Sequence, residues 1–214
     1  MKKITFIISF LLTGHIWVAY GQQQVFDLSR MLTENKLVAS PGKQVTAFKD
    51  GDKQGVSCNS IVWLKDVNFK HGTIDVDLRG KDVFLKSFLG IAFHGVDTTT
   101  CDILYFRPFN FRHADTLRRK WSVAYMSLPD NDYARLRKEH PLVYENAVNP
   151  VPKADEWFHA RLVLKGKRLS VYVNHSSRPS LEVTLLNERA DGLFGLYADG
   201  LPGDFANLTI NTEP

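Results

Sequence analysis

Three side chains on two neighbouring apolar segments have the chemistry of a binding or catalytic site. The segments are residues 88–94 and 102–109, and the short connection between them predicts two adjacent antiparallel strands. Side chains alternate between the two faces of a strand. The apolar residues take one face, which leaves His94, Tyr105 and Arg107 together on the other. An aromatic ring can stack on a sugar ring, and a guanidinium can donate paired hydrogen bonds to hydroxyls or a carboxylate.

A second interpretation of these residues is purely structural. Tyr105 and Arg107 would then cover the sheet beneath a later part of the chain, with Arg107 paired to an acid such as Glu145. Glu145 itself has two interpretations. Held near Arg107 or His94, it could act as a general acid or base, and a carboxylate with a histidine can abstract a proton next to a carbonyl. Alternatively, Glu145 anchors its loop through hydrogen bonds. His94 and Glu145 are therefore the catalytic candidates.

A long excursion, residues 111–156, leaves the end of the second segment. It is predicted to contain one strand at 121–127 and one short helix at 133–140, and its aromatic content argues against disorder. Long insertions in compact domains are often functional. We therefore add Arg112, Trp121 and Tyr144 to Tyr105 and Arg107 as candidate ligand-binding residues.

Positive charge is concentrated in the first part of the excursion. Residues 112–139 contain seven Lys or Arg and four Asp or Glu. One interpretation is attraction of an acidic glycan that carries uronate or sulfate. The other is a solvated loop of mixed charge, which is common on protein surfaces.

The first 21 residues have the pattern of a secretory signal peptide. Lys2 and Lys3 precede an apolar run at 4–12, and the small residues Ala19 and Gly21 are spaced like a cleavage site. A membrane anchor is the alternative, but the run is too short to span a bilayer. We expect a mature domain at 22–214, secreted or periplasmic, with no membrane span.

Charge and cysteine content exclude several classes of protein. The net charge of +4 falls to +2 without Lys2 and Lys3, too little to indicate a nucleic-acid partner. Cys58 and Cys101 could form a disulfide in an oxidising compartment or remain free thiols, and the sequence leaves both open. No metal-ligand spacing, nucleophile elbow, phosphate loop or dinucleotide motif occurs, so no cofactor or metal is predicted.

The remaining pattern is that of short strands separated by turns. Residues 158–164 and 169–173 alternate on either side of Gly166 and Lys167, which predicts a hairpin. Similar short apolar or alternating segments lie at 61–64, 73–78, 181–185, 193–198 and 205–210. Nine or ten strands with one or two short helices predict an all-β fold, an antiparallel two-sheet jelly-roll sandwich.

Four segments carry a resemblance to a known family. They are residues 90–95 (GIAFHG), 104–112 (LYFRPFNFR), 157–174 (WFHARLVLKGKRLSVYVN) and 204–210 (DFANLTI). Together they resemble concanavalin A-like lectin/glucanase domains, in particular laminin-G-like proteins of Bacteroidetes, over residues 25–212. The chain is more weakly similar to the 3-keto-glycoside lyase/hydratase domain family. The resemblance implies a concanavalin A-like jelly roll, a scaffold that serves lectins, glycosidases, lyases and adhesion modules.

One departure from this family bears on catalysis. Retaining glucanases of this scaffold carry a Glu-x-Asp-x-x-Glu strand, which is absent here. The nearest acidic clusters, at 75–77 and 130–132, lack the third carboxylate. Three hypotheses follow: an exported carbohydrate-recognising protein that serves glycan binding or degradation, a glycoside-active lyase, hydratase or hydrolase, and a structural or adhesion module. A carbohydrate is the expected ligand under the first two.

Overall fold

The computed structural model describes residues 22–212, and these form two antiparallel β-sheets packed face to face. The all-β sandwich expected from the alternation of residues is therefore confirmed. The predicted signal peptide, residues 1–21, lies outside the described residues. No helix within residues 22–212 is long and apolar enough to cross a bilayer.

Fifteen strands and three α-helices make up the described part of the chain. The strands are β1 (Gln22–Phe26), β2 (Leu37–Ala39), β3 (Val45–Asp50), β4 (Lys53–Cys58), β5 (Val62–Asn68), β6 (Gly72–Arg79), β7 (Ser87–Gly95), β8 (Asp102–Phe106), β9 (Val123–Ser127), β10 (Glu145–Asn146), β11 (Phe158–Lys165), β12 (Arg168–Val173), β13 (Leu181–Thr184), β14 (Leu193–Gly200) and β15 (Gly203–Thr212). The helices are α1 (Leu28–Thr33), α2 (Thr116–Arg119) and α3 (Tyr133–Glu139), and a 3-10 turn spans Pro108–Asn110.

The two sheets have different strand orders. Sheet A runs β13-β12-β11-β6-β15-β4-β3, and β1 pairs with the second half of β15. Sheet B runs β10-β9-β8-β7-β14-β5-β2. The predicted hairpin of residues 158–173 is β11 and β12, and Gly166 in its turn has a φ of +56°. Glycine takes this left-handed conformation without a steric penalty.

Apolar side chains fill the space between the sheets and also cover one outer face. The interior contains the inward-facing residues of both sheets, such as Val76, Leu104 and Phe205. A second apolar cluster, which includes Ala92, Ile103 and Met126, lies on the outer face of sheet B. The strands that carry this cluster are therefore buried on both faces, which explains their nearly continuous apolar sequence.

Five strands and two helices, α1 and α2, were not predicted from the sequence. Strands β1 to β4 precede residue 61, and β10 has only two residues. Residues of β3 are mostly exposed, as expected for an edge strand, and such strands lack a clear apolar alternation. Gly51, with a φ of +61°, lies in the hairpin turn between β3 and β4. The helix α1 begins after Asp27, whose carboxylate accepts from the Arg30 amide.

The segment 111–156 adds elements to one edge of sheet B. Strand β9 extends the sheet beyond β8, and β10 pairs with β9. Helices α2 and α3 lie in this segment, and α3 contacts β9. The segment is thus built onto the same face that carries Tyr105 and Arg107.

Candidate functional site

A cavity of about 370 Å³ lies on the outer face of sheet B, and we call it the outer cavity. Its lining residues on the strands are Phe88, Tyr105, Met126, Tyr197 and Asp199, and Arg107 follows directly after β8. The surrounding loops and helices add Leu85, Phe109, Asn110, Arg118, Trp121, Tyr133 and Arg137. Aromatic rings and guanidinium groups thus dominate the lining. The volume falls within the range of about 300–1,000 Å³ that is usual for small-molecule sites.

One row of residues crosses sheet B beneath the cavity. Strand pairing aligns Tyr197, Gly90, Tyr105, Ala124 and Glu145 on five neighbouring strands, from β14 to β10. Residues paired across antiparallel strands share a face. The row therefore places two tyrosines and a carboxylate on the outer face, as the alternation predicted for Tyr105.

Gly90 is required in the centre of this row. A Cβ added at Gly90 would lie 2.0 Å from the carbonyl oxygen of Leu104, a contact that no backbone adjustment of ordinary size relieves. The missing side chain also leaves room above β7, where the rings of Tyr105 and Tyr197 meet with centroids 5.7 Å apart. Gly90 thus permits the aromatic floor of the cavity.

Arg107 is buried and held by several groups at once. It is 4% exposed, its Nη1 donates to the Trp121 carbonyl at 2.7 Å, and the Glu145 carboxylate lies 3.4 Å away. Its Nη2 donates to the hydroxyl of Tyr105, over whose ring the guanidinium stacks at 4.7 Å. Arg107 is thus paired to Glu145, as the structural interpretation predicted, and it also lines the outer cavity.

Glu145 joins a second guanidinium to the first. Arg137 on α3 donates to both carboxylate oxygens of Glu145, at 2.8 and 2.6 Å, and stacks over the Trp121 ring at 4.0 Å. Such bidentate Arg–carboxylate pairs are strong and geometrically specific. Burial disfavours the charge of Arg137, but the hydrogen bonds and charge of Glu145 outweigh it and raise the pKa of Arg137. Arg137 is therefore cationic at neutral pH.

Arg118 lies at the rim of the cavity and has fewer interaction partners than Arg107 or Arg137. Its guanidinium stacks over the Phe84 ring at 4.7 Å and lies 6.0 Å from the Trp121 ring. Its nearest acid is Asp115, at 3.9 Å, and that side chain is 51% exposed. Within residues 22–212, no group accepts a hydrogen bond from the Arg118 side chain. This guanidinium is therefore free to donate to a ligand.

One buried acceptor at the cavity is also unpaired. Asn110 is 2% exposed and lines the cavity, and its Oδ1 accepts no hydrogen bond from any described residue. Buried side-chain oxygens are usually satisfied, so an unpaired one calls for an explanation. Asp199, the acidic residue of the lining, accepts a hydrogen bond from the Gly200 amide.

The tyrosine hydroxyls of the floor are neutral. Burial is the main cause that raises the pKa of Tyr105, to about 12, although the nearby Arg107 charge acts in the opposite direction. Burial likewise raises the pKa of Tyr197. Both hydroxyls therefore remain protonated at neutral pH and can both donate and accept hydrogen bonds.

His94 does not belong to this surface, and its predicted placement is wrong. The residue has a φ of +49° at the end of β7, beside an irregularity in the pairing with β14. This backbone turns the ring toward the sandwich interior, where it is 1% exposed and stacks near Phe69. Its Nε2 donates to the Lys70 carbonyl at 3.0 Å, and its Nδ1 lies 3.3 Å from the Asp102 carboxylate. His94 and Glu145 therefore do not form an acid–base pair.

Two other predicted ligand-binding residues lie away from the outer cavity. Arg112 donates to the backbone carbonyls of Pro152 and Val151, at 3.1 and 3.2 Å, and so fastens the proline-rich end of the segment 111–156. Tyr144 packs against Tyr125 and His140 behind α3. Trp121, in contrast, lines the cavity as expected for a member of the site.

Several lining residues were missed by the sequence analysis. Tyr133 and Arg137 are four residues apart on α3 and so share one helix face, which is a usable signal. Tyr197 alternates with the interior residues Leu196 and Ala198 of β14, just as Tyr105 alternates with its neighbours. Arg118 has no such pattern, because α2 is a single short turn.

The two cysteines are free and buried. Cys58 belongs to the interior core and Cys101 to the outer cluster of sheet B. Residues 22–212 contain no group of three or more His, Cys, Asp or Glu side chains that could hold a metal ion.

Comparisons with known proteins identify the fold but no family. No known family model matches the sequence, and no curated protein matches it. Solved structures do match. A protein of unknown function with a galectin-like fold from Bacillus subtilis has a TM-score of 0.59 and 13% identity, covering 90% of this chain and 97% of that one.

Two further structures have carbohydrate-related names. The carbohydrate binding module CBM66 from Bacillus subtilis has a TM-score of 0.57 and 11% identity, over 82% of this chain and 96% of that one. A candidate glycosyl hydrolase from Parabacteroides distasonis has a TM-score of 0.56 and 12% identity, over 90% of this chain and all of that one (100%). At such low identity the likeness establishes a common fold, a galectin-like β-sandwich.

Proposed function

We propose that this protein binds a carbohydrate in the outer cavity. The observation that carries the proposal is the combination of aromatic rings and hydrogen-bonding guanidiniums around one cavity, with Trp121, Tyr133 and Tyr197 beside Arg107 and Arg137. A sugar ring has apolar C–H faces and a polar edge of hydroxyls. The rings suit the faces, and the guanidiniums and tyrosine hydroxyls suit the edge.

The solved structures support the proposal in a limited way. The CBM66 module is named for carbohydrate binding, and the Parabacteroides distasonis protein is named as a candidate glycosyl hydrolase. The structural similarity to both proteins extends over most of this chain. A shared scaffold does not transfer a site, so the proposal rests on the cavity of this chain.

Binding fits the cavity better than catalysis does. A general acid or base must be able to exchange a proton with the ligand. Glu145 is 6% exposed, and both its oxygens accept hydrogen bonds from Arg137 while Arg107 lies beside them. His94 is inside the sandwich. The two groups predicted to perform acid–base chemistry are therefore occupied or remote.

Calorimetric titration with a panel of mono- to tetrasaccharides tests the proposal. Trp121→Ala should weaken binding about tenfold, which corresponds to about 1.4 kcal/mol of lost stacking. Trp157→Ala is the matched control, because Trp157 is also a partly exposed tryptophan stacked with an arginine, Arg79, but it lies on sheet A. No binding of any panel sugar by the unaltered protein would contradict the proposal, as would equal losses in the two variants.

We also propose that the protein is exported to the periplasm or the cell exterior. The support is the charge, apolar run and small residues of segment 1–21. Intact-mass analysis of the protein from the source cells should give a chain that begins at Gln22. A chain that retains residues 1–21 would refute export by cleavage at this point.

A further inference from the structure

We propose that the sugar bound in the outer cavity carries a carboxylate, as a uronic acid does. The inference rests on the proposed function and deepens it by naming the ligand class. Its basis is the excess of guanidinium groups over carboxylates in the lining and the free hydrogen-bond donors of Arg118, together with an unpaired acceptor, the Oδ1 of Asn110.

The lining of the cavity is positively charged. Three guanidiniums, those of Arg107, Arg118 and Arg137, line it, whereas Asp199 is its one acidic lining residue within residues 22–212. Glu145 lies directly behind the lining and neutralises one of the two guanidiniums that it bridges. Arg107, Arg137 and Glu145 together therefore keep one positive charge that Glu145 does not neutralise. An anionic group on the ligand would provide the missing negative charge.

Arg118 is positioned to bind that group. Its side chain is 34% exposed, it stacks on Phe84, and its nearest carboxylate, that of Asp115, lies 3.9 Å away. No described residue accepts a hydrogen bond from it. Stacking fixes the plane of the guanidinium while its edge stays free, and a planar carboxylate matches that edge with two parallel hydrogen bonds.

The unpaired Asn110 oxygen distinguishes a sugar acid from a simple anion. An acceptor requires a donor, and a fully ionised sulfate or phosphate has no hydrogen to donate. A sugar hydroxyl that reached Asn110 Oδ1 would donate to it and would also accept from an arginine such as Arg107. A uronic acid offers the hydroxyl and the carboxylate on one ring, as the lining requires.

Paired ligands test the inference. The probes are oligosaccharides of galacturonate, glucuronate, mannuronate and guluronate, each compared with its carboxyl-reduced counterpart of the same linkage. In calorimetric titration, at least one uronate should bind about tenfold tighter than its neutral counterpart. Arg118→Gln should lower the affinity for that uronate about tenfold and lower the affinity for the neutral sugar less. Arg118→Lys, which keeps the charge but loses the planar edge, should be intermediate.

The control is Arg119→Gln on the same helix. Arg119 is exposed, one residue away, and does not line the outer cavity, so its removal lowers the overall charge equally without removing a cavity donor. If the Arg118 and Arg119 variants lost the same affinity for the uronate, the effect would be explained by long-range electrostatic attraction alone, and the inference would be overturned. Equal binding of uronate and neutral sugar, or preference for a sulfated neutral sugar, would also overturn it while leaving carbohydrate binding intact. Failure of every probe to bind would overturn the inference, and failure of the mono- to tetrasaccharide panel as well would overturn carbohydrate binding.

Discussion

The outer faces of the two sheets both carry charged and aromatic side chains, yet only one of them has the features of a site. On sheet A, His159 contacts Asp75 and Asp77, both at 2.9 Å, and Lys53 and Arg161 bind the same two carboxylates. Together with Arg79, which binds Asp50 and Asp204, four cationic side chains there meet four carboxylates, so their charges neutralise one another. On sheet B, guanidiniums outnumber carboxylates and surround a cavity.

The difference shows that a cluster of charged residues indicates a ligand only when its pairing is incomplete. Trp157 on sheet A lies beside Arg79 and donates its Nε1–H to Asp50, so even this aromatic side chain is occupied. Trp121 on sheet B has a similar stacked arginine, Arg137, but it faces a cavity. Charged side chains that are all paired with one another form an inert surface on sheet A. Charged side chains that lack partners beside a cavity, as on sheet B, can bind a ligand.

Removal of the Glu145 charge is the strongest test of this comparison. Glu145→Gln leaves Arg107 and Arg137 without their shared counter-charge in a mostly buried position. Breaking such a pair from one side is costly, and we expect the free energy of unfolding to fall by about 3 kcal/mol. Urea denaturation measures it. Glu182→Gln on sheet A, which removes an exposed partner of Arg168, should change little. Equal effects in both variants would show that the two faces do not differ in this way.

The charge network of sheet A makes a separate prediction about pH. Burial disfavours the charged form of His159, but hydrogen bonds to Asp75 and Asp77 outweigh it and raise its pKa from 6.5 to about 9. A raised folded-state pKa stabilises the protein fully below 6.5, and that contribution disappears as the pH rises through 9. We expect a loss on the order of 1–3 kcal/mol over this interval.

Urea denaturation across that interval, with His159→Gln as the comparison, measures the effect. Asp75 and Asp77 have lowered pKa values, so both stay ionised throughout and do not contribute to the slope. The variant should lose most of the pH dependence. His175 stacks on His159 at 4.2 Å, and His175→Gln should keep that dependence, because His175 has no carboxylate partner in the network. A histidine NMR titration with a midpoint near the ordinary value would contradict the prediction.

The cysteines give the smallest expected effect. Cys58 and Cys101 belong to different apolar clusters, and burial raises the pKa of both thiols to about 12. We expect both to resist alkylation in the native protein and to react after denaturation, since the thiolate is the reactive form. A reducing agent should leave the unfolding temperature unchanged. Loss of two hydrogens in the intact mass, or a lower unfolding temperature under reduction, would indicate a disulfide.

Strand alternation was sufficient to predict two of the thirteen residues that line the outer cavity. It placed Tyr105 and Arg107 on one face, because β8 is regular and its neighbours are apolar. The same rule failed for His94, since a left-handed φ at the end of β7 is not visible in an alternation pattern. Arg118 and Asn110 were missed because their positions depend on short turns whose direction is set by packing. The local sequence pattern therefore predicts which face of a strand a residue occupies. Tertiary contacts decide which residues of turns and loops lie beside that face.

The bridge formed by Glu145 has a consequence for the entropy of binding. Arginine side chains lose considerable rotamer freedom when a ligand fixes them. Arg107 and Arg137 have already lost much of that freedom, because one carboxylate and the Trp121 residue hold them in the free protein. Arg118, with no hydrogen bond to restrain it, retains more of its own. Ligand binding should therefore order one arginine rather than three, so that more of the contact energy of the cavity appears as affinity.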